Sequence, residues 1–223
     1  MLQFYFNGSP NPTKVALFLE EAGVAFEPKP VDTRKGDQFA PDFVKLNPNA
    51  KVPVIVDDGK VVFDSNAILL YLAEKTGKFM PAAAHRGEML SWLMFIATGV
   101  GPYSGQAVHF KHFSPEKIAY AHNRYQYEAM RHFEIIDAHL AKSGGYMVGG
   151  AYSFVDMALW GWARMVPFIL GDDAWAKLPN LKRLHDEIDA RPAAGKAKTL
   201  KDRFPFKADF DAEARRHMFK HIA

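Results

Sequence analysis

Strand and helix signals alternate through the first eighty residues of this chain and then the strand signals stop. That change of pattern restricts the fold to a small α/β unit followed by helices. Leu2 to Phe6 reads as a short apolar strand, and Asn7 to Pro12 is dense in turn residues. The next segment is helical, with Val15, Leu17, Phe18 and Ala22 apolar, Glu20 and Glu21 wet, and Gly23 as the stop. A second strand is expected over 26–31 and a short helix over 38–46, ended by Asn47-Pro48-Asn49. Val52 to Val56 and Val61 to Phe63 flank Asp57-Asp58-Gly59, a hairpin signal. Ser65 to Thr76 is the last helix of this part, with Gly77 as its stop. The order is β-α-β-α-β-β-α.

Helical periodicity then covers about 86–112, 115–142, 153–169 and 179–190. Gly99-Val100-Gly101-Pro102 interrupts the first of these, and a kink or break is expected because proline removes an N–H. Ser153 and Asp156 have the spacing of a capping box, with Tyr152 and Met157 where a hydrophobic staple sits. The helix they open is too apolar for a surface element. The boundary falls near Phe79-Met80-Pro81. It divides an α/β domain over residues 1–80 from an all-helical domain over 84–223 that ends in a basic tail.

With 48% hydrophobic residues in 223, the chain has material for a substantial core. No apolar run reaches the roughly 18 residues of a membrane span, and Met1 to Phe6 lacks the flanks of a signal peptide. A soluble cytoplasmic protein with no membrane partner is expected. The sequence holds no cysteine, so disulfide scaffolds, thiolate metal sites and a protein thiol nucleophile are all excluded. Any sulfur this protein works on arrives with a ligand. The net charge of +3 sits in the tail, where residues 196–223 hold 8 Lys/Arg against 4 Asp/Glu. Phe204, Phe206, Phe210 and Phe219 are interleaved there, which favours a tail packed on its own domain over a nucleic-acid interface.

Three features of the first domain suggest a ligand edge, and each has a plainer reading. Val52-Pro53 opens a strand, so the Val52 backbone is available to an extended peptide, or Pro53 is only an edge-strand proline. Asp64-Ser65 opens a helix and suits an amino-acid head group, its carboxylate on the N–H groups and its ammonium on Asp64. The plainer reading is an ordinary Ser65 cap. Ser9 to Asn11 opens the first helix, where hydroxyl and amide donors and the positive helix end favour a thiolate over a thiol, or Ser9 is only a cap.

The run Asn47-Pro48-Asn49-Ala50-Lys51-Val52-Pro53-Val54-Ile55-Val56-Asp57-Asp58-Gly59 resembles the glutathione transferase pattern before and through its third strand. Asp64 to Leu72 resembles the γ-glutamyl-binding turn and helix, and Ser153 to Asp156 the capping box of the helical domain. Tyr5-Phe6 before Ser9-Pro10-Asn11, Gly36-Asp37-Gln38-Phe39, and Gly101-Pro102 ahead of Gly105-Gln106 resemble the Nu class, bacterial enzymes with disulfide-bond reductase activity. The resemblance implies an N-terminal thioredoxin-like domain with a C-terminal helical domain, a homodimer, and two glutathione molecules as co-substrates in each site. It implies that one glutathione attacks a small-molecule disulfide and the second resolves.

Carried over residue by residue, the resemblance gives Ser9 and Asn11 the catalytic donor roles. It places Gln38 and Lys51 around the glycyl end, Val52 on the cysteinyl backbone, and Asp64 and Ser65 on the γ-glutamyl group. Arg131 matches an arginine that reaches the site from the helical domain; its alternative is an ion pair with Glu128 or Glu134. Gly8 stands where the family has a proline, and Asp64 where it has a glutamate, and both changes bear on affinity. Tyr5 lies inside its strand and is expected to be structural. Tyr103, Gln106, His109 and Phe110 are the candidates for the wall of a second pocket. His109 with His112 and His217 with His221 have metal-compatible spacing but lack a third ligand, so no metal site is expected. Conjugation of glutathione to electrophiles is the competing activity, and a non-catalytic glutathione-binding regulator the competing class.

Overall fold

The computed structural model describes residues 1–220. Contacts divide the chain into two compact units, Met1–Thr76 with the chain from Pro192 onward, and Gly77–Arg191. In the first unit, β1 (Leu2–Phe6), α1 (Pro10–Ala22), β2 (Phe26–Pro30), a 3-10 turn (Asp37–Phe39), α2 (Pro41–Leu46), β3 (Val54–Asp57), β4 (Lys60–Phe63) and α3 (Ser65–Thr76) follow in the expected order. The four strands lie in the order β2-β1-β3-β4, with β1 parallel to β2 and both other pairs antiparallel.

The register fixes where loops leave this sheet. Phe6 at the end of β1 pairs with Pro30 at the end of β2. Tyr5 pairs with Val54 at the start of β3, and Val54 with Phe63 at the end of β4. The loops after β1 and β2, the approach to β3 and the turn into α3 therefore all hang from one end of the sheet. Phe4, Phe6, Val15, Leu17, Phe18, Leu19, Ile55, Ile68 and Leu69 are fully buried or nearly so and form this unit's core.

The expectation of one helical domain over 84–223 differs from the structure in its last part. Helix α10, Pro192–Thr199, packs along α1. It buries Ala193, Ala194 and Ala197, small side chains that permit close approach, and Lys196 Nζ lies 3.4 Å from Glu20. A 3-10 turn (Leu200–Arg203) and α11 (Ala212–Met218) complete the tail.

The second unit contains α4 (Arg86–Phe95), α5 (Gly101–Val108), α6 (Ala119–Leu140), α7 (Phe154–Ala163), α8 (Val166–Leu170) and α9 (Pro179–Asp189). The expected kink at Pro102 is instead a π-helical turn over Ile96–Val100. The Gly101 N–H reaches the Ile96 carbonyl, five residues back, and the helix continues past the proline. A second π turn, His109–Phe113, ends α5. Glycine allows a close approach at two points of this segment. A Cβ on Gly99 would lie 2.5 Å from the His132 ring, and one on Gly101 3.1 Å from the Trp162 indole nitrogen.

The capping box at Ser153 and Asp156 is formed, and α7 is almost wholly buried. Asp156 accepts from the Met147 N–H, the Ser153 N–H and the Ser153 hydroxyl, each at 2.8 Å. Burial nevertheless pushes its carboxyl up to about 6. The ring of Tyr152 packs against Phe79 at 5.7 Å and beneath Arg191.

Candidate functional site

Helix α1 starts Pro10-Asn11-Pro12, so two of its first three residues have no N–H, and the Thr13 N–H is taken by the Ser9 carbonyl at 3.2 Å. Asn11 lies between these two prolines in the first turn, with its side chain half-buried. Ser9 holds the N-cap position, but its hydroxyl makes no cap bond. It donates instead to Asn7 Oδ1 at 2.6 Å, as does its N–H at 3.0 Å. Asn7 is anchored in turn by its amide donating to Thr33 Oγ1 at 3.2 Å. The Ser9 hydroxyl is exposed, and a rotation about one bond frees it for a ligand. Gly8 lies beneath the Lys201 side chain.

Val52-Pro53 is cis, and the ladder begins at Val54, so the Val52 backbone lies outside it. Lys51 is exposed, and its carbonyl is held by Asn47 Nδ2 at 2.7 Å. The cap of α3 is Asp64 and not Ser65. Asp64 adopts φ 69°, its carbonyl accepts from Ile68, and its carboxylate accepts from the N–H groups of Asn66 (2.9 Å) and Ala67 (3.1 Å). An aspartate caps as well as a serine does, and its exposed charge complements the positive helix end. Ser65, first in the helix and 4% exposed, is left with its N–H and hydroxyl for a ligand carboxylate.

Gln38 is engaged by the tail. Its amide Nε2 donates to the carbonyls of Thr33 and His217, each at 3.2 Å, and its Oε1 is buried without a protein partner. Tyr5 lies in β1 with its ring against Phe43 at 5.9 Å and its hydroxyl on Gln3. Two residues that the sequence reading passed over lie under the head of α3. Lys14 is fully buried, and its Nζ donates to Asn66 Oδ1 at 2.8 Å. Desolvation brings its amine down to about 7, against the opposing charge of Asp64. Lys14 directly precedes the apolar run Val15 to Leu19, but nothing local in the sequence marks its bond to Asn66.

In the helical unit, Arg131 takes the ion-pair alternative, placing Nε (3.0 Å) and Nη2 (2.8 Å) on Glu128 Oε2. The Tyr103 ring lies tilted against His132 at 4.8 Å and approaches Tyr125 at 6.3 Å. Phe110 stacks on Tyr125 at 5.3 Å, with His109 edge-on to it. Tyr125 therefore joins two of the four second-pocket candidates, Tyr103 and Phe110, while Gln106 is exposed on α5. Ser104 Oγ, Gln126 Nε2, Trp160 Nε1 and Arg164 Nη1 are buried without partners. Of the histidine pairs, His112 stacks on Phe168, and His221 lies outside the described residues. Among the described residues no group of three metal-ligating side chains is assembled, and no helix is long and apolar enough to cross a membrane.

A thioredoxin-like unit that offers a free strand approach, an open helix end and an exposed hydroxyl at one end of its sheet defines a class that binds a thiol-bearing peptide. The model for the glutathione S-transferase N-terminal domain matches residues 2–74, and that for the C-terminal domain residues 106–194, so the chain belongs to the glutathione S-transferase family. It is 39% identical over 212 residues to the disulfide-bond oxidoreductase YfcG of Escherichia coli, covering 88% of this chain and 94% of that one. It is 37% identical over 218 residues to the disulfide-bond oxidoreductase YghU of the same organism, covering 89% and 74%. Among solved structures, a glutathione transferase of Pseudomonas putida with one glutathione disulfide bound per subunit superposes with a TM-score of 0.82. Its identity is 32%, with 89% and 91% of the two chains covered. A glutathione transferase of Burkholderia graminis with two glutathione molecules per subunit gives a TM-score of 0.83 at 35% identity, covering 91% and 89%.

Proposed function

We propose that this protein is a glutathione-dependent disulfide-bond reductase that uses the thiols of bound glutathione and no thiol of its own. The observation that carries this reading is the set of donors at one end of the sheet in a chain without cysteine. Val52 offers its backbone to the cysteinyl part, Asp64 and Ser65 take the γ-glutamyl group, and Lys51 faces the glycyl end. Gln38 reaches that end once its amide leaves His217. Ser9 and Asn11 donate to the sulfur. A free thiol has a pKa near 8.5, and lowering it by about two units takes roughly 2.7 kcal/mol, within reach of two hydrogen bonds to an anion.

In the reaction one glutathione thiolate attacks a sulfur of the substrate disulfide and releases a thiolate that takes up a proton. A second glutathione thiolate attacks the glutathionyl sulfur of the mixed disulfide, giving glutathione disulfide and the second thiol. Names of relatives that act on disulfide bonds, and neighbours holding one glutathione disulfide or two glutathione molecules, support this reading over conjugation. Tyr103, His109, Phe110 and Gln106 form the wall for the second molecule, with Arg131 released from Glu128 to meet it. The working form is a homodimer in the cytoplasm, where glutathione is kept reduced. Val61 and Phe63, exposed on the sheet's outer strand β4, support an association surface there.

The test compares reduction of 2-hydroxyethyl disulfide with conjugation of 1-chloro-2,4-dinitrobenzene on one preparation. Disulfide turnover is expected to dominate and to fall ten- to a hundred-fold in Ser9→Ala and Asn11→Ala. Dominant conjugation would favour the competing activity, and turnover of neither substrate a binding role.

A further inference from the structure

Lys14 has no assigned role in the proposed reaction, yet its amine is fully buried in the first unit. Its ammonium lies directly beneath the turn that opens α3. Nζ donates to Asn66 Oδ1, and the Asn66 N–H donates to the Asp64 carboxylate, so one chain of hydrogen bonds runs from α1 through Asn66 to the cap. A lysine head has three donors, and Asn66 is its hydrogen-bond partner. The ionisable side chains on elements packed against α1 are Tyr5 on β1, Tyr71, Glu74 and Lys75 on α3, and Lys196 and Lys198 on α10. Among all these and the cap of α3, the Asp64 carboxylate is the charge that acts on Lys14, and it favours the ammonium form. Lys75 is paired with Asp57, and Lys196 with Glu20.

We propose that Lys14 is a positioning residue of the head-group site, holding the first turn of α3 through Asn66 and taking up a proton when a carboxylate docks on that turn. The proposal rests on the assignment of Asp64 and Ser65 to an amino-acid head group. The physical argument is charge balance. In the free protein Asp64 is exposed, and water screens its attraction for the buried amine. A ligand carboxylate on the Ser65 N–H places a negative charge above Lys14, while the ligand ammonium meets the exposed Asp64 from its solvent side, farther from the buried amine. The nearer, negative charge favours the ammonium of Lys14 over its amine. Near neutral pH the free protein is only part-charged at Lys14. Docking then draws a proton into the protein, and affinity falls as pH rises above neutrality.

The test uses S-methylglutathione, whose sulfur does not ionise. Its binding is measured by titration calorimetry at pH 7.5 in two buffers of different ionisation enthalpy, and its Kd across pH 6.5–8.5. The wild-type protein is expected to take up about half a proton per ligand and to weaken three- to ten-fold across that range. Lys14→Met is expected to take up none and to show a flat Kd. Wild-type binding without proton uptake, or uptake unchanged in Lys14→Met, overturns the role of Lys14. The wild-type measurement stands alone if Lys14→Met does not fold. A Kd unchanged by Ser65→Ala overturns the head-group assignment instead, so the two failures are distinct.

Discussion

Lys14 and Asp156 are buried ionisable side chains, one in each unit, and they give the protein opposite pH responses. Lys14 is neutral in the native state above about 7 but charged in the unfolded chain up to about 10.5. The unfolded state therefore binds more protons between those values, and the contribution to stability rises with pH. From pH 7 to pH 9 the wild type is expected to gain up to about 2.7 kcal/mol in urea unfolding relative to Lys14→Met, and a parallel pair of curves would refute this. Asp156 has its pKa raised from 3.8 to about 6, so its contribution is fully present below pH 3.8 and is lost as pH rises through 6. Asp156→Ala orphans three buried donors at Met147 and Ser153 and is expected to cost about 3 kcal/mol at pH 7 in the same assay. Asp156 was legible in sequence because a capping box has a fixed spacing. Lys14 and Asn66 were not, because their bond joins two helices and leaves no mark in either periodicity.

At the scale of elements, the α/β order was readable because each element carries its own signal: Gly23 and Gly77 as stops, and Asp57-Asp58-Gly59 as a hairpin. The proline segment was only half legible. A proline in a helical pattern announces lost hydrogen bonds, but whether the chain breaks or shifts by one residue depends on what packs around it. Here Gly99 admits the His132 ring, which is held between Phe95 at 5.1 Å and Tyr103 at 4.8 Å. His132 is also tied to the Glu128 carbonyl through Nδ1 at 2.7 Å, so it cannot yield. Gly99→Ala is therefore expected to destabilise by about 1–3 kcal/mol. Gly105→Ala, whose Cβ would rest at an ordinary 3.8 Å from Trp162, is expected to be neutral or to gain up to about 1 kcal/mol of helix propensity. Chemical unfolding of the two variants side by side checks the contrast; equal losses would mean that the π turn tolerates a side chain.

For the molecule as a whole, the tail was legible as something that packs, since phenylalanines recur among its charges. The surface it covers was not, because contacts so distant in sequence have no local pattern. Phe204 and Phe206 set their rings edge-on to Phe6 at 5.5 and 6.0 Å. The Lys207 N–H donates to Asp32 at 2.6 Å, Arg34 donates to the carbonyls of Lys207 and Ala208, and Lys220 lies over the Phe39 ring. The tail thus holds the loop between β2 and α2, on which Gln38 and the Asn7 anchor Thr33 both lie. That loop leaves the same end of the sheet as Ser9 and Val52, so its order bears on ligand binding as well as on folding. Truncation after Arg203 uncovers Phe6 and removes these contacts, at an expected cost of about 2–3 kcal/mol or roughly 4–12 °C in Tm. Glutathione affinity should fall together with Tm, because Asn7 loses an ordered partner in Thr33 and Ser9 loses its support. Differential scanning fluorimetry with and without glutathione measures both effects. If truncation lowers Tm but tightens glutathione, the hold of His217 on Gln38 is a restraint on the site rather than a support for it.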